Sequence, residues 1–123
     1  MRKTVAVLFL LFCAASLHAK DKPNPADYTI KVHISASHID PPTIGRAANY
    51  ADATLDGKKL QLSGDAVNIG GRVDRFALII PGDYMARLKK DFHNADSTAI
   101  HQEYDVLLSD GTVWHCMISG ISE

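Results

Sequence analysis

The residues best placed to do chemistry form one short run, His101-Gln102-Glu103-Tyr104-Asp105. On a β-strand, His101, Glu103 and Asp105 project from one face, two residues apart. A hairpin with a three-residue loop brings His115 opposite Asp105, with the two Cβ atoms about 4.5–5.5 Å apart. Two imidazoles and two carboxylates on one patch are a possible ligand set for a divalent ion, zinc first among them. His101, Glu103, Asp105 and His115 are therefore the candidate metal residues. The ordinary alternative is the wet face of an edge hairpin, where opposite charges across strands are common and weak. No helical His motif and no paired-Cys spacing reinforces the metal reading.

Other groupings are weaker. Ser35, His38 and Asp40 supply the residue types of a hydrolase triad within six residues. Adjacent strand positions point to opposite faces, and triads draw on separate segments with an oxyanion hole. No Gly-x-Ser-x-Gly elbow is present. Gly70-Gly71 is not followed by Gly-Lys-Ser/Thr, so it is no phosphate loop. Trp114, the single tryptophan, could be a stacking platform, but its face also carries Val106, Cys116 and Ile118, which marks it as core. These residues indicate no catalytic group and no cofactor.

The elements that must position these residues begin with a segment expected to be removed. Met1-Arg2-Lys3-Thr4 is a short basic stretch, residues 5–15 are uninterruptedly small and apolar, and Ala19 precedes the polar Lys20-Asp21-Lys22. That order of parts is a secretory signal peptide, with an apolar run too short to span a bilayer. The expected organisation is a signal peptide over 1–19, a flexible lead-in over 20–27 containing Pro23 and Pro25, and one β-domain over 28–123. The expected location is periplasmic or extracellular.

Loss of Arg2 and Lys3 leaves eleven Lys and Arg against fourteen Asp and Glu, a formal charge of −3. That balance, with basic residues only in doublets, excludes the clustered positive footprint of a nucleic-acid or anionic-membrane binder. Cys13 leaves with the signal peptide, and bulky Phe12 before it does not fit a lipoprotein processing site. Cys116 then has no partner for an intrachain disulfide and reads as a small buried hydrophobe.

Within the domain, residues 28–36 alternate strictly. Tyr28, Ile30, Val32, Ile34 and Ala36 share one face, which predicts a half-buried strand ended by Asp40-Pro41-Pro42. Asp56-Gly57 predicts a two-residue type I′ hairpin pairing Ala53 with Leu60 and Ala51 with Leu62. Ser109-Asp110-Gly111 predicts a three-residue loop pairing Val106 with Trp114 and Tyr104 with Cys116. This register puts Tyr104, Val106, Leu108, Trp114, Cys116 and Ile118 on one apolar face.

Between the hairpins, Phe76-Ala77-Leu78-Ile79-Ile80 has strand length, and Pro81-Gly82 suits a type II turn. Residues 84–92 fit strand or helix periodicity, and the preceding apolar run and tight turn favour a hairpin. Residues 64–74 read as a Gly-containing connection, and 92–98 as a polar loop. The expected fold is all-β, a small antiparallel β-sandwich or closed barrel of about seven strands.

The alternating first strand, the Asp56-Gly57-Lys58-Lys59 hairpin, the Pro-Gly-Asp-Tyr-x-Ala-Arg-Leu segment at 81–88 and the late Asp-Gly hairpin resemble a group of small exported bacterial proteins of unassigned function. The resemblance covers most of the domain and implies an all-β fold and export, with no activity attached. It also favours the strand reading of 84–88. Ile80-Pro81-Gly82-Asp83-Tyr84 is more loosely similar to the Pro-Gly-x-Tyr turn of transthyretin-like and carboxypeptidase-regulatory-like sandwiches. The function expected from all of this is that of an exported non-catalytic β-domain, a binding or envelope-accessory module for an unknown protein or envelope ligand. It has no membrane span in its mature form. A small secreted metal-binding protein is the alternative.

Overall fold

The structure, a computed structural model, describes residues 22–40, 48–74, 76–92, 96 and 98–123. The expected signal peptide and the Pro41-Pro42 strand stop lie outside the described residues, as does most of the expected 92–98 loop. Among the described residues eight strands follow a short 3-10 turn at Pro25–Asp27, which Asn24 caps by accepting from the Ala26 amide. That turn occupies part of the expected lead-in.

Strands β1 (Ile30–Asp40), β2 (Ala48–Leu55), β3 (Lys58–Gly64), β6 (Gly82–Phe92), β7 (His101–Leu107) and β8 (Val113–Ile121) close into a barrel. Its order is β1-β2-β3-β8-β7-β6, with every neighbouring pair antiparallel. The barrel thus resolves the choice between sandwich and barrel. Strands β4 (Val67–Ile69) and β5 (Arg72–Asp74) form a separate two-stranded ribbon.

Both predicted hairpin registers are present. Asp56 and Gly57, with φ of 51° and 77°, make the two-residue turn that pairs Ala53 with Leu60 and Ala51 with Leu62. In the last hairpin Val106 faces Trp114 and Tyr104 faces Cys116. The Gly111 amide donates to Leu108 O at 3.0 Å, and the left-handed Gly111 closes the loop at φ 87°. Val32, Ile34, Leu62, Ala86, Val106 and Trp114 fill the barrel, so the interior is a packed core of side chains. Trp114 is 1% exposed and donates Nε1 to Asp65 O at 2.9 Å. A side chain at Gly64 would place its Cβ 2.3 Å from His115 O and 2.7 Å from the indole nitrogen, so only glycine fits beside this ring.

Four expectations are corrected. A register shift between Ile34 and Ala36 reverses the phase of β1, which leaves Ala36 exposed and turns Ser37 and Ile39 partly inward. Tyr28 precedes β1 and is buried, yet it lies outside the inner core cluster, with the Arg87 guanidinium carbon 5.2 Å from its ring centroid. The 64–74 connection contains a hairpin of its own, turned by Gly70 and Gly71 at φ 59° and 84°. Finally, residues 76–80 form no strand, and Pro81-Gly82 joins no hairpin, because β6 begins at Gly82 and pairs with β1.

The 76–80 run is instead a cap. Ala77 and Ile79 are buried in the core cluster, while Phe76, Leu78 and Ile80 point outward. Side chains of the barrel hold its backbone. Asn49 Nδ2 donates to Ala77 O at 2.9 Å, Ser37 Oγ donates to Ile79 O at 2.6 Å, and the Tyr84 hydroxyl donates to Ile80 O. Val67 of the ribbon joins the same cluster, so the ribbon and residues 76–80 pack on the end of the barrel marked by Ser37 of β1 and Asn49 of β2.

Candidate functional site

Strand alternation turns Arg87, Asp105 and His115 to the outer face, and the register sets them side by side on β6, β7 and β8. His115 stands opposite Asp105, as the three-residue loop requires. Asp105 is nevertheless 0% exposed, not a wet surface carboxylate. Arg87 donates Nε and Nη2 to Asp105 Oδ2, both at 3.0 Å, and His115 Nδ1 lies 2.5 Å from Oδ1. Both carboxylate oxygens are thereby occupied, which is the condition for burying a charge at tolerable cost. The guanidinium is held more firmly protonated than usual, chiefly by its hydrogen bond to Asp105.

The four sequence candidates do not converge. His101 Nε2 sits 2.9 Å from Glu103 Oε2, while Asp105 and His115 form their own pair with Arg87. Among the described residues no three His, Cys, Asp or Glu side chains gather into a metal-binding group. A cation at Asp105 would have to displace Arg87 or His115.

The Asp105–His115 pair has the form of an oriented imidazole, a carboxylate on Nδ1 with the other ring nitrogen free to face outward. Among the described residues no hydroxyl, thiol or amine hydrogen-bonds that ring. The neighbouring thiol, Cys116, is buried, and desolvation pushes its pKa well above the usual range, so it stays protonated. Ser35, His38 and Asp40 are also separate. Ser35 Oγ donates to Asp52 O at 3.1 Å, and the His38 ring stacks on Tyr50 at 5.3 Å.

A second polar site lies on the outer face around β1. His33 and Asp83 oppose each other across β1 and β6, and His33 Nδ1 is 2.8 Å from Asp83 Oδ1. Beside them opens a cleft of about 800 Å³, with Lys31 and Asp56 among its polar lining and Met85, Leu107 and Leu108 among its apolar lining. The β2–β3 turn at Asp56-Gly57 and the start of the β7–β8 loop form part of its wall. Sequence reasoning did not single out Arg87, His33 or Asp83. Alternation with Ala86 inward marks Arg87 as outward, but its position beside Asp105 depends on a pairing between distant strands. The same holds for His33 and Asp83.

Among the described residues no helix is long and apolar enough to cross a membrane. The chain matches no family model, no curated protein and no solved structure.

Proposed function

We propose that this chain is an exported, non-catalytic binding module that takes its ligand in the outer cleft beside β1. The observation that carries the reading is the contrast between a barrel filled by its own side chains and an open cleft of about 800 Å³ on its surface. That volume falls in the range of small-ligand sites, which pair apolar walls with a few placed polar groups. An amphipathic ligand fits the lining, with an apolar group on Met85, Leu107 and Leu108 and a polar group reaching Lys31, His33 and Asp83. Export rests on the order of basic, apolar and small residues at 1–19. The protonated thiol of Cys116, and a His115 ring paired with Asp105 but with no nucleophile hydrogen-bonded to it among the described residues, support a binding role over a nucleophilic one.

Two-dimensional amide spectra, recorded while medium-chain fatty acids, alkyl glycosides and short amphipathic peptides are titrated in, test the cleft. The expected result is saturable shifts at Lys31, His33, Asp83 and Met85, lost in Met85→Glu. Shifts confined to another face, or none with any probe, would sink the cleft reading. Hydrolysis of an ester panel that vanishes in His115→Ala would replace binding with catalysis. Recovery of the protein from outside the cytoplasm with Met1 retained would overturn processing at Ala19.

A further inference from the structure

The β1 cleft has a neighbour. A second opening of about 570 Å³ lies on the outer face over β2, β3 and β8, and Thr54 lines both. Strand register accounts for the link. Asp83, His33, Thr54 and Lys59 stand opposite one another in turn across β6, β1, β2 and β3. The residues on either side of His33 and of Thr54 are buried in the barrel, so this row points outward. Three inter-strand steps make it about 14 Å long.

The lining changes along the row. Beside Asp83 and His33 the walls are the apolar Met85, Leu107 and Leu108. Beyond Thr54 they are mostly polar. Asp52 and Gln61 oppose each other on β2 and β3. Ser119 Oγ donates to Gln61 Oε1 at 3.3 Å, which orients the amide and leaves its Nε2 as a donor. Ser35 donates its hydroxyl proton to Asp52 O at 3.1 Å, and Ser122 donates its own to Lys59 O at 3.4 Å, so both hydroxyl oxygens remain as acceptors. Gly120 lines the same opening. A Cβ there would stand 3.3 Å from Gln61 Cβ, so glycine keeps the space beside the amide clear.

Building on the β1 cleft as a binding site, we propose that its ligand is a neutral glycoside with an apolar aglycone. The aglycone packs on Met85, Leu107 and Leu108, and the sugar crosses Thr54 to reach Asp52, Lys59 and Gln61. Charge decides the head group. Among the described residues that line the two openings, Lys31 and Lys59 face Asp52, Asp56 and Asp83. An anionic head only accepts hydrogen bonds and meets three carboxylates that only accept. A cationic head only donates and meets two ammonium groups that only donate. A sugar hydroxyl does both, so it pairs with carboxylate, ammonium, amide and hydroxyl alike. Apolar walls beside a few fixed polar groups are the usual make-up of such a site.

Titration of the purified protein with octyl glucoside, octyl maltoside, octanoate and octyltrimethylammonium tests the head group at constant chain length. Each probe stays below its micelle concentration, and amide shifts report binding. Both glycosides are expected to shift Met85 and Leu107 together with Asp52 and Gln61, and to bind at least tenfold tighter than either charged probe. Asp52→Ala/Gln61→Ala should weaken glycoside binding at least tenfold and leave the octanoate shifts at Met85 in place. Both residues face outward, and the urea midpoint reports that the variant folds. Thr54→Val keeps a β-branched strand residue, removes only the hydroxyl, and should weaken the glycosides at least threefold. Vesicles carrying a dialkyl glucoside should displace octyl glucoside if the natural source is a lipid head, and should not if it is a free glycoside. A charged probe that binds as tightly as the glycosides overturns the proposal. So do glycosides that shift Met85 without Asp52 and Gln61, or that ignore both variants. Those results leave the β1 cleft standing as a binding site. No shift at either opening with any probe removes both.

Discussion

The outer row on β6, β7 and β8 and the cap over 76–80 break the usual rule of burial in opposite directions. On the row a carboxylate, Asp105, is wholly buried, while on the cap Phe76 and Ile80 stand in solvent. The difference lies in what each region has beside it. Asp105 has a strand on both sides, each supplying a donor at its own level, and Arg87 packs in turn against Tyr28. The cap has the barrel beneath it, and its Phe76, Leu78 and Ile80 side chains point outward. Burial on this small barrel therefore follows the availability of a flanking partner more than side-chain polarity. The row is held from both sides, whereas Phe76 and Ile80 of the cap remain exposed.

The largest effect is expected where neighbours are most numerous. Trp114→Ala should cost about 3–5 kcal/mol, since it empties a large aromatic site and frees Asp65 O from the indole. A urea midpoint equal to wild type would mean the barrel interior tolerates a void, and the comparison would lose its fixed end. Arg87→Met should lower the urea midpoint, because it leaves a buried carboxylate with only His115. If the midpoint does not move, Asp105 is less enclosed than its position indicates.

High pH should reveal the same enclosure. Burial raises the pKa of Cys116 and of Tyr104, whose ordinary values are 9.0 and 10.0. A group raised on folding contributes stability fully below its unfolded pKa and loses it as pH climbs past that value. Cys116 should therefore remove up to about 1.4 kcal/mol per pH unit above pH 9, and Cys116→Val should flatten that slope. The smallest effect belongs to the cap. In dilute protein Phe76→Ser should change stability by less than about 0.5 kcal/mol, the usual range for surface positions. A loss of several kcal/mol would place Phe76 inside and erase the contrast.

The parts of this fold written locally were legible. Asp56-Gly57 and Asp110-Gly111 specify their turns, and the apolar alternation beside each turn selects one register, which in turn fixed the burial of Trp114 and Cys116 and the opposition of Asp105 and His115. The 76–80 run defeated the same logic because all five residues are apolar, so the pattern carries no phase to separate Ala77 and Ile79 from their neighbours. Gly70-Gly71 between Val67-Asn68-Ile69 and Arg72-Val73-Asp74 does carry a hairpin signal, which the shortness of the flanking strands weakens. The burial of Asp105 has no local signature, since its cover comes from Arg87, eighteen residues away on another strand. His33 and Asp83 meet only because the barrel closes.

That closure also sets the order of events when the chain folds. The β2–β3 and β7–β8 hairpins join neighbours in sequence and can form within about 1–10 μs. The two seams that complete the barrel are of another kind, since they bring Ile30 beside Ala86 and Leu60 beside Ile121. Such distant pairings slow all-β domains to milliseconds or seconds. Each hairpin is ready long before there is a ring for it to join, and in that interval the sheet has open borders and an uncovered apolar face. An open sheet of this kind is the aggregation-exposed state of a β-protein. For this chain the most vulnerable moment is the wait for its two last seams, and a chaperone that shields it has only to cover those borders until they meet.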